Sequence, residues 1–67
     1  MDEAISHYKR SISLNPHKSE TYYNLGDALC LKGEFSKAVE SYKGAIAHQK
    51  ENAPAFYNMG NSYYMLG

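Results

Sequence analysis

Cysteine is almost missing from this sequence. Cys30 stands alone, so no internal disulfide can form and a disulfide-stapled secreted scaffold is excluded. An excess of either charge is missing too: seven Lys and Arg balance seven Asp and Glu, and the formal net charge is zero with His neutral. A nucleic-acid binder needs a basic face to neutralise phosphates, and a membrane-surface segment needs a polybasic one, so both classes are disfavoured. No apolar run approaches the roughly 18 residues of a membrane span. Nor does a basic start lead into an apolar stretch and a small-residue cleavage site, so no signal peptide is read and the cytoplasm is the expected compartment. Phosphate-cradling glycine loops are lacking as well, since every glycine has a helix or turn address. His7, His17 and His48 are never spaced i, i+4 with another His or Cys, so they read as solvated surface residues and no zinc site is expected. Cys30 has no His at a fixed local spacing to activate it and reads as a small apolar residue. No catalytic residue, metal or cofactor is expected. A compact chain of 67 residues buries only about 60% of its extended-chain surface, enough for one small core but not for a deep, lidded substrate cavity.

What the chain does have is a copy of itself. Shifted by 34 residues, Ala4 meets Ala38, Tyr8 meets Tyr42, Lys9 meets Lys43 and Ile12 meets Ile46. Further on, Tyr23 meets Tyr57, Asn24 meets Asn58, Gly26 meets Gly60 and Gly33 meets Gly67. Close substitutions surround these identities: Ile5 with Val39, Tyr22 with Phe56, Leu25 with Met59, Ser11 with Ala45 and Leu31 with Met65. The matches fall on small and apolar residues, where packing would demand them. A fixed period of this size signals a repeat architecture.

Periodicity within each copy is helical. Ala4, Ile5, Tyr8, Ser11 and Ile12 recur at spacings of three and four, as do Ala38, Val39, Tyr42, Ala45 and Ile46. Tyr22, Leu25, Gly26 and Leu29 repeat the pattern, and so do Phe56, Met59, Gly60 and Tyr63. Four amphipathic helices are predicted, at about 2–14, 18–32, 36–49 and 53–66. Asn15-Pro16 ends the first, because the residue before proline is pushed out of the helical region. Gly33 is suited to a left-handed stop for the second. Asn52 is the expected N-cap of the fourth, with Pro54 in its first turn, where a missing N–H does no harm. Connections this short force neighbouring helices to run antiparallel, which gives an all-α fold of helix-turn-helix units.

Glycine inside a helix costs about 1 kcal/mol against alanine. Gly26 and Gly60 are therefore expected at close helix approaches, opposite the small Ala38 and Ala4, with Tyr42 and Tyr8 filling the space beside them. Gly44 has no such reason and is expected at a tolerated exposed position. Glu34, Lys37, Glu40 and Lys43 read as a solvated helix face with i, i+3 pairs worth tenths of a kcal/mol.

These residues resemble the tetratricopeptide repeat (TPR) family. That family repeats a 34-residue helix-turn-helix, with a Leu-Gly pair in helix A and an Ala…aromatic…Ala run in helix B. Here the pair is Leu25-Gly26 and Met59-Gly60, with Tyr22 and Phe56 as the bulky residue three before it. The helix B run is Ala38…Tyr42…Ala45 and, earlier, Ala4…Tyr8…Ser11. Pro16 matches the family's closing proline, whereas Lys50 replaces it in the next copy. The resemblance spans essentially the whole chain and implies an α-solenoid fragment in the order B–A–B–A. It reads as a single domain, 1–67, made of a partial repeat 1–18, a full repeat 19–52 and a partial repeat 53–67.

The resemblance implies a non-catalytic protein–protein interaction module whose A helices line a groove for an extended peptide or a partner helix. Carried over residue by residue, the groove would be lined by Glu20, Tyr23, Asn24, Asp27, Cys30 and Leu31, and then by Pro54, Tyr57, Asn58, Asn61, Tyr64 and Met65. Asn24 and Asn58, one repeat apart, match the rungs of an asparagine ladder that some members use, including the substrate-reading arm of O-linked sugar transferases. The carboxylate clamp of other members needs Lys and Asn where this chain has Tyr23 and Asp27, so a C-terminal carboxylate ligand is disfavoured. With Glu20 and Asp27 as the groove's charges, a basic or aromatic ligand is expected. Two further roles stand beside this one: the substrate-recognition arm of a larger enzyme, and a self-assembling array segment. For the last, both end helices are expected to expose apolar stripes, Met1, Ile5, Tyr8 and Ile12 at one end and Phe56, Met59, Tyr63 and Leu66 at the other. Gly67 takes the place of Gly33 and Met1 that of Phe35, so a second copy could continue the first almost in register. Head-to-tail homo-oligomers or helix exchange are expected when the chain is isolated, and as a piece of a longer array its neighbours on both sides would supply the missing helices instead.

Overall fold

The structure, a computed structural model, describes residues 2–67. It contains four helices in chain order, α1 (Asp2–Leu14), α2 (Ser19–Lys32), α3 (Phe35–His48) and α4 (Ala53–Leu66). No strand is present among the described residues. Each helix packs on the next, as the short connections between antiparallel neighbours require, and α2 also touches α4 narrowly.

The stops are local chemistry. Gly33 sits in the left-handed region at φ 85°, where a side chain would be strained. Its N–H donates to the Cys30 carbonyl, and the Glu34 N–H donates to the Leu29 carbonyl, closing a Schellman turn. That turn sends the chain back after two residues, so α3 starts at Phe35 rather than at the expected 36 and ends one residue sooner. Lys18 is extended at the N-cap of α2, which begins at Ser19 rather than 18. Asn52 caps α4, its side-chain oxygen accepting from the Ala55 N–H at 3.1 Å, and Pro54 lies in the first turn.

Packing follows the two sequence stripes. The core joins Leu25, Ala28 and Leu29 of α2 to Ala38, Tyr42 and Ala45 of α3, with Ile5 from α1 and Ala55 from α4. Tyr42 is the largest fully buried side chain. Burying a ring of that size stabilises the fold by about 2–3 kcal/mol. Gly26 allows it: a Cβ there would lie 2.5–2.8 Å from the Tyr42 ring.

Two glycine expectations fail. Gly60 has nothing within 4 Å of where its Cβ would be, because no described helix covers that side of α4. Gly44 is a close approach after all, since a Cβ there would meet the Tyr22 ring at 2.6 Å. Tyr22 lies along α3, stacks on His48 with ring centroids 5.2 Å apart, and donates its hydroxyl to the Pro16 carbonyl at 2.9 Å. His17 closes the group against His48 at 5.4 Å. The two histidines are surface residues as expected, but the turn 15–18 and the end of α3 bring them together. A second unforeseen link runs from Asn52 Nδ2 to Ser19 Oγ at 3.1 Å, and from Ser19 Oγ to the Ala45 carbonyl at 2.7 Å.

Candidate functional site

Between α2 and α4 lies an open depression of about 440 Å³. Asp27, Cys30 and Leu31 of α2 form one wall, and Asn58, Asn61, Ser62 and Met65 of α4 form the other. Tyr42 and Phe35 of α3 complete the lining between them. The spacing explains the walls, since 27, 30 and 31 share one side of a helix, as do 58, 61, 62 and 65. The Leu and Met side chains make it apolar at one end, and a polar network fills the other.

Asp27 is the centre of that network. Its Oδ1 accepts from the Tyr42 hydroxyl at 2.5 Å and from Asn58 Nδ2 at 3.0 Å. Asn58 Nδ2 also donates to the Tyr23 hydroxyl oxygen at 3.1 Å. Both amide protons of Asn58 are thereby used, and its own side-chain carbonyl is left over. Ser62 Oγ donates to the main-chain carbonyl of Asn58 at 3.1 Å, so the 3.1 Å contact with Cys30 Sγ has the thiol as donor. Burial pushes the Tyr42 hydroxyl far above the ordinary phenol range, and its bond to the Asp27 carboxylate adds to the effect. It therefore stays a protonated donor at any physiological pH. Among the described residues, Asp27 is the sole charged side chain lining the depression.

The residues expected in the groove fall into two sets. Asp27, Asn58 and Asn61 line the depression, as do Cys30, Leu31 and Met65. Tyr23 joins through its hydrogen bond to Asn58, and Asn24 is half-buried beside it. Glu20 and Pro54 are exposed, and Tyr57 and Tyr64 stand out at 72% and 85% of full exposure without touching the depression. Sequence reasoning missed Phe35, Tyr42 and Ser62 as lining residues. Tyr42 carried a signal, its identity with Tyr8 one period earlier, but that signal speaks equally of packing.

The expected end stripes divide as well. Met1 lies outside the described residues. Ile5 is buried in the core rather than exposed, because it faces α2, and Ile12 and Tyr8 are half-buried against the same core. Phe56, Tyr63 and Leu66 are exposed, and Met59 is half-buried.

Comparison with known families agrees with the fold and the period. A model described as TPR repeat matches residues 26–67, and one described as tetratricopeptide repeat matches residues 7–40. The chain belongs to the tetratricopeptide repeat family. Repeats of this family are in general protein–protein interaction modules and are usually non-catalytic. No curated protein matches the chain individually. Among the described residues, no helix is long and apolar enough to cross a membrane, and no three His, Cys, Asp or Glu side chains are grouped to hold a metal ion.

Proposed function

We propose that the depression between α2 and α4 receives a segment of a partner protein, as an extended peptide or a helix, that brings a Lys or Arg side chain to Asp27. One observation carries this reading. A single carboxylate stands in an otherwise uncharged hollow, with one oxygen held by Tyr42 and Asn58. Among the described residues, no side chain donates to the second oxygen, Oδ2. A guanidinium or ammonium group would complete it with a charge-assisted hydrogen bond. An acidic or C-terminal carboxylate ligand would meet repulsion there instead.

The surroundings suit a peptide. The free carbonyl of Asn58 and the amide of Asn61 offer an acceptor and a donor to a peptide backbone. Leu31, Phe35 and Met65 offer apolar contact for the neighbouring side chain. Tyr57 and Tyr64, with apolar rings and polar tips, extend the surface along α4, and Glu20, Tyr23 and Asn24 extend it along α2.

An array of random-sequence peptides, probed with the purified chain, tests the reading. The bound set should be enriched in Lys and Arg, and Asp27→Asn should weaken it by about tenfold or more. Asparagine keeps an oxygen for the Tyr42 hydroxyl, so the helical circular dichroism should survive. Binding without basic enrichment, or equal binding by Asp27→Asn, would falsify the proposal.

A further inference from the structure

The turn 15–18 and the end of α3 bring His17 and His48 together, and neither lines the depression between α2 and α4. Their ring centroids stand 5.4 Å apart, with the ring planes crossed at 81°. Two imidazoles on one tetrahedral ion, with metal–nitrogen bonds of about 2.0–2.1 Å, hold their centroids about 5 Å apart. The pair is therefore spaced as two ligands of a shared ion would be. Both residues are exposed, and the outer torsion of a histidine turns easily, so a nitrogen of each can be aimed at one point.

Tyr22 ties the two segments to one another. Its ring stacks on His48 with centroids 5.2 Å apart, and its hydroxyl donates at 2.9 Å to the carbonyl of Pro16, the residue before His17. One side chain thus holds both the His48 ring and the backbone that carries His17. Gly44 supports it in turn, since a Cβ there would stand 2.6 Å from the Tyr22 ring. Ligands held in place beforehand bind an ion better than ligands that must be ordered by it. His48 also lies in the last turn of α3, where the helix dipole favours a cation. Lys18 and Lys50 are near in sequence and carry the ion's sign, but both are exposed, so salt and water screen them.

From this geometry we infer that His17 and His48 together chelate a divalent cation of the zinc, nickel and copper class. Imidazole suits those ions, whereas magnesium and calcium want oxygen ligands. Among the described residues no third His, Cys, Asp or Glu is grouped with the pair, so water fills the ion's remaining positions and the affinity is modest. Local spacing along the sequence hid the site, because the two histidines meet only where a turn and a helix end come together across the fold. One period on, His17 becomes Glu51, and one period back, His48 becomes Leu14. The site therefore belongs to this one junction and is not a property of the repeat.

Zinc chloride titrated into the purified chain in a non-coordinating buffer, and followed by the imidazole proton NMR signals, tests the site. The signals of His17 and His48, assigned with the variants His17→Gln and His48→Gln, should shift together and saturate at one ion per chain. Those of His7, which is exposed on α1, should lag far behind. Either variant should weaken zinc binding at the remaining histidine by about tenfold or more, because a second ligand on the same chain acts at high effective concentration. Both positions are exposed, so helical circular dichroism should stay unchanged in the variants. Magnesium chloride should move none of the three histidines. All three shifting over the same zinc range, saturation at one ion per two chains, or unchanged binding at the histidine a variant leaves in place overturns the inference.

Discussion

In α2, Leu25, Gly26 and Leu29 are buried; in α4, their counterparts are half-buried Met59 and exposed Gly60 and Tyr63. The two helices share a pattern but not their surroundings. α2 is held between α1 and α3, whereas α4 has α3 on one side and only a narrow touch with α2. Thr21 and Ala28, by contrast, are buried in α2, and so are their counterparts Ala55 and Ser62 in α4. Those positions lie on a side that is covered in both helices. In a quasi-one-dimensional array, a helix face is as stable as the neighbour that covers it. The comparison therefore separates what a residue contributes by its type from what it contributes by its place.

The largest separation should come from the two tyrosines. Tyr42→Ala removes a fully buried ring, its contact with Gly26 and its bond to Asp27. A loss of about 3–5 kcal/mol is expected. A chain of this length has on the order of 3–10 kcal/mol of stability in total, so the variant should be largely unfolded. Tyr8→Ala, the same change one period earlier at a half-buried position, should cost about 1 kcal/mol in dilute solution. Urea denaturation at low micromolar concentration measures both. Equal losses would mean that the two sites share one environment, and the contrast between α3, packed on both α2 and α4, and α1, packed on α2 alone, would collapse.

Glycine gives a smaller effect but one of opposite sign in the two helices. Gly26→Ala should destabilise. Its new Cβ meets the middle of a buried ring that has nowhere to move, and overpacking of that kind costs about 1–3 kcal/mol against a helix-propensity gain of about 1 kcal/mol. Gly60→Ala meets open space and should stabilise the dilute chain by about 1 kcal/mol. Thermal melts of the two variants side by side test the sign. If both fall, or both rise, the space around the two glycines is not what distinguishes them.

Why Gly26 was legible in the sequence and Gly60 and Gly44 were not has a physical answer. Periodicity reports which face of a helix wants a neighbour, and the mid-helix cost of Gly26 marks a close approach within one repeat. It does not report whether the neighbour is there, which decides Gly60. Gly44 has no glycine one period earlier, so the repeat carried no signal. Its reason, the ring of Tyr22, lies 22 residues away across a turn. The candidate site divides in the same way. The stripe holding Asp27, Asn58 and Asn61 followed from helical spacing and the family resemblance. The hydrogen bonds that join Asp27 to Tyr42 and Asn58 depend on the relative placement of three helices, which no pattern along one chain encodes. The pairing of His17 with His48 and the link from Asn52 to Ser19 were hidden for the same reason.

The smallest effect concerns charge between helices. Asp2 in α1 pairs with Lys32 in α2 at 2.7 Å, while Leu66 of α4 stands where α2 has Lys32 and Ser36 of α3 where α1 has Asp2. One seam is tied by an ion pair and its counterpart is not. The hydrogen bond and charge of Lys32 hold the Asp2 carboxyl below its ordinary value of 3.8. A group whose folded value is depressed contributes stability above the unfolded value and loses it as pH falls through the folded one. Lys32 is shifted the other way, upward from 10.5, by the hydrogen bond and charge of Asp2. Its contribution is whole below 10.5 and disappears as pH rises through the folded value. The pair is therefore intact on a plateau between these limits and fails on both flanks. Both groups are solvent-exposed, so the amplitude is small and salt screens it. Asp2→Asn should remove this pair's share of the stability lost as pH falls below 3.8 in low salt, as followed by thermal melts, and should change nothing in high salt. A change that persists in high salt would mean that Asp2 acts through packing or helix capping, and that charge does not distinguish the α1–α2 seam from the α3–α4 seam.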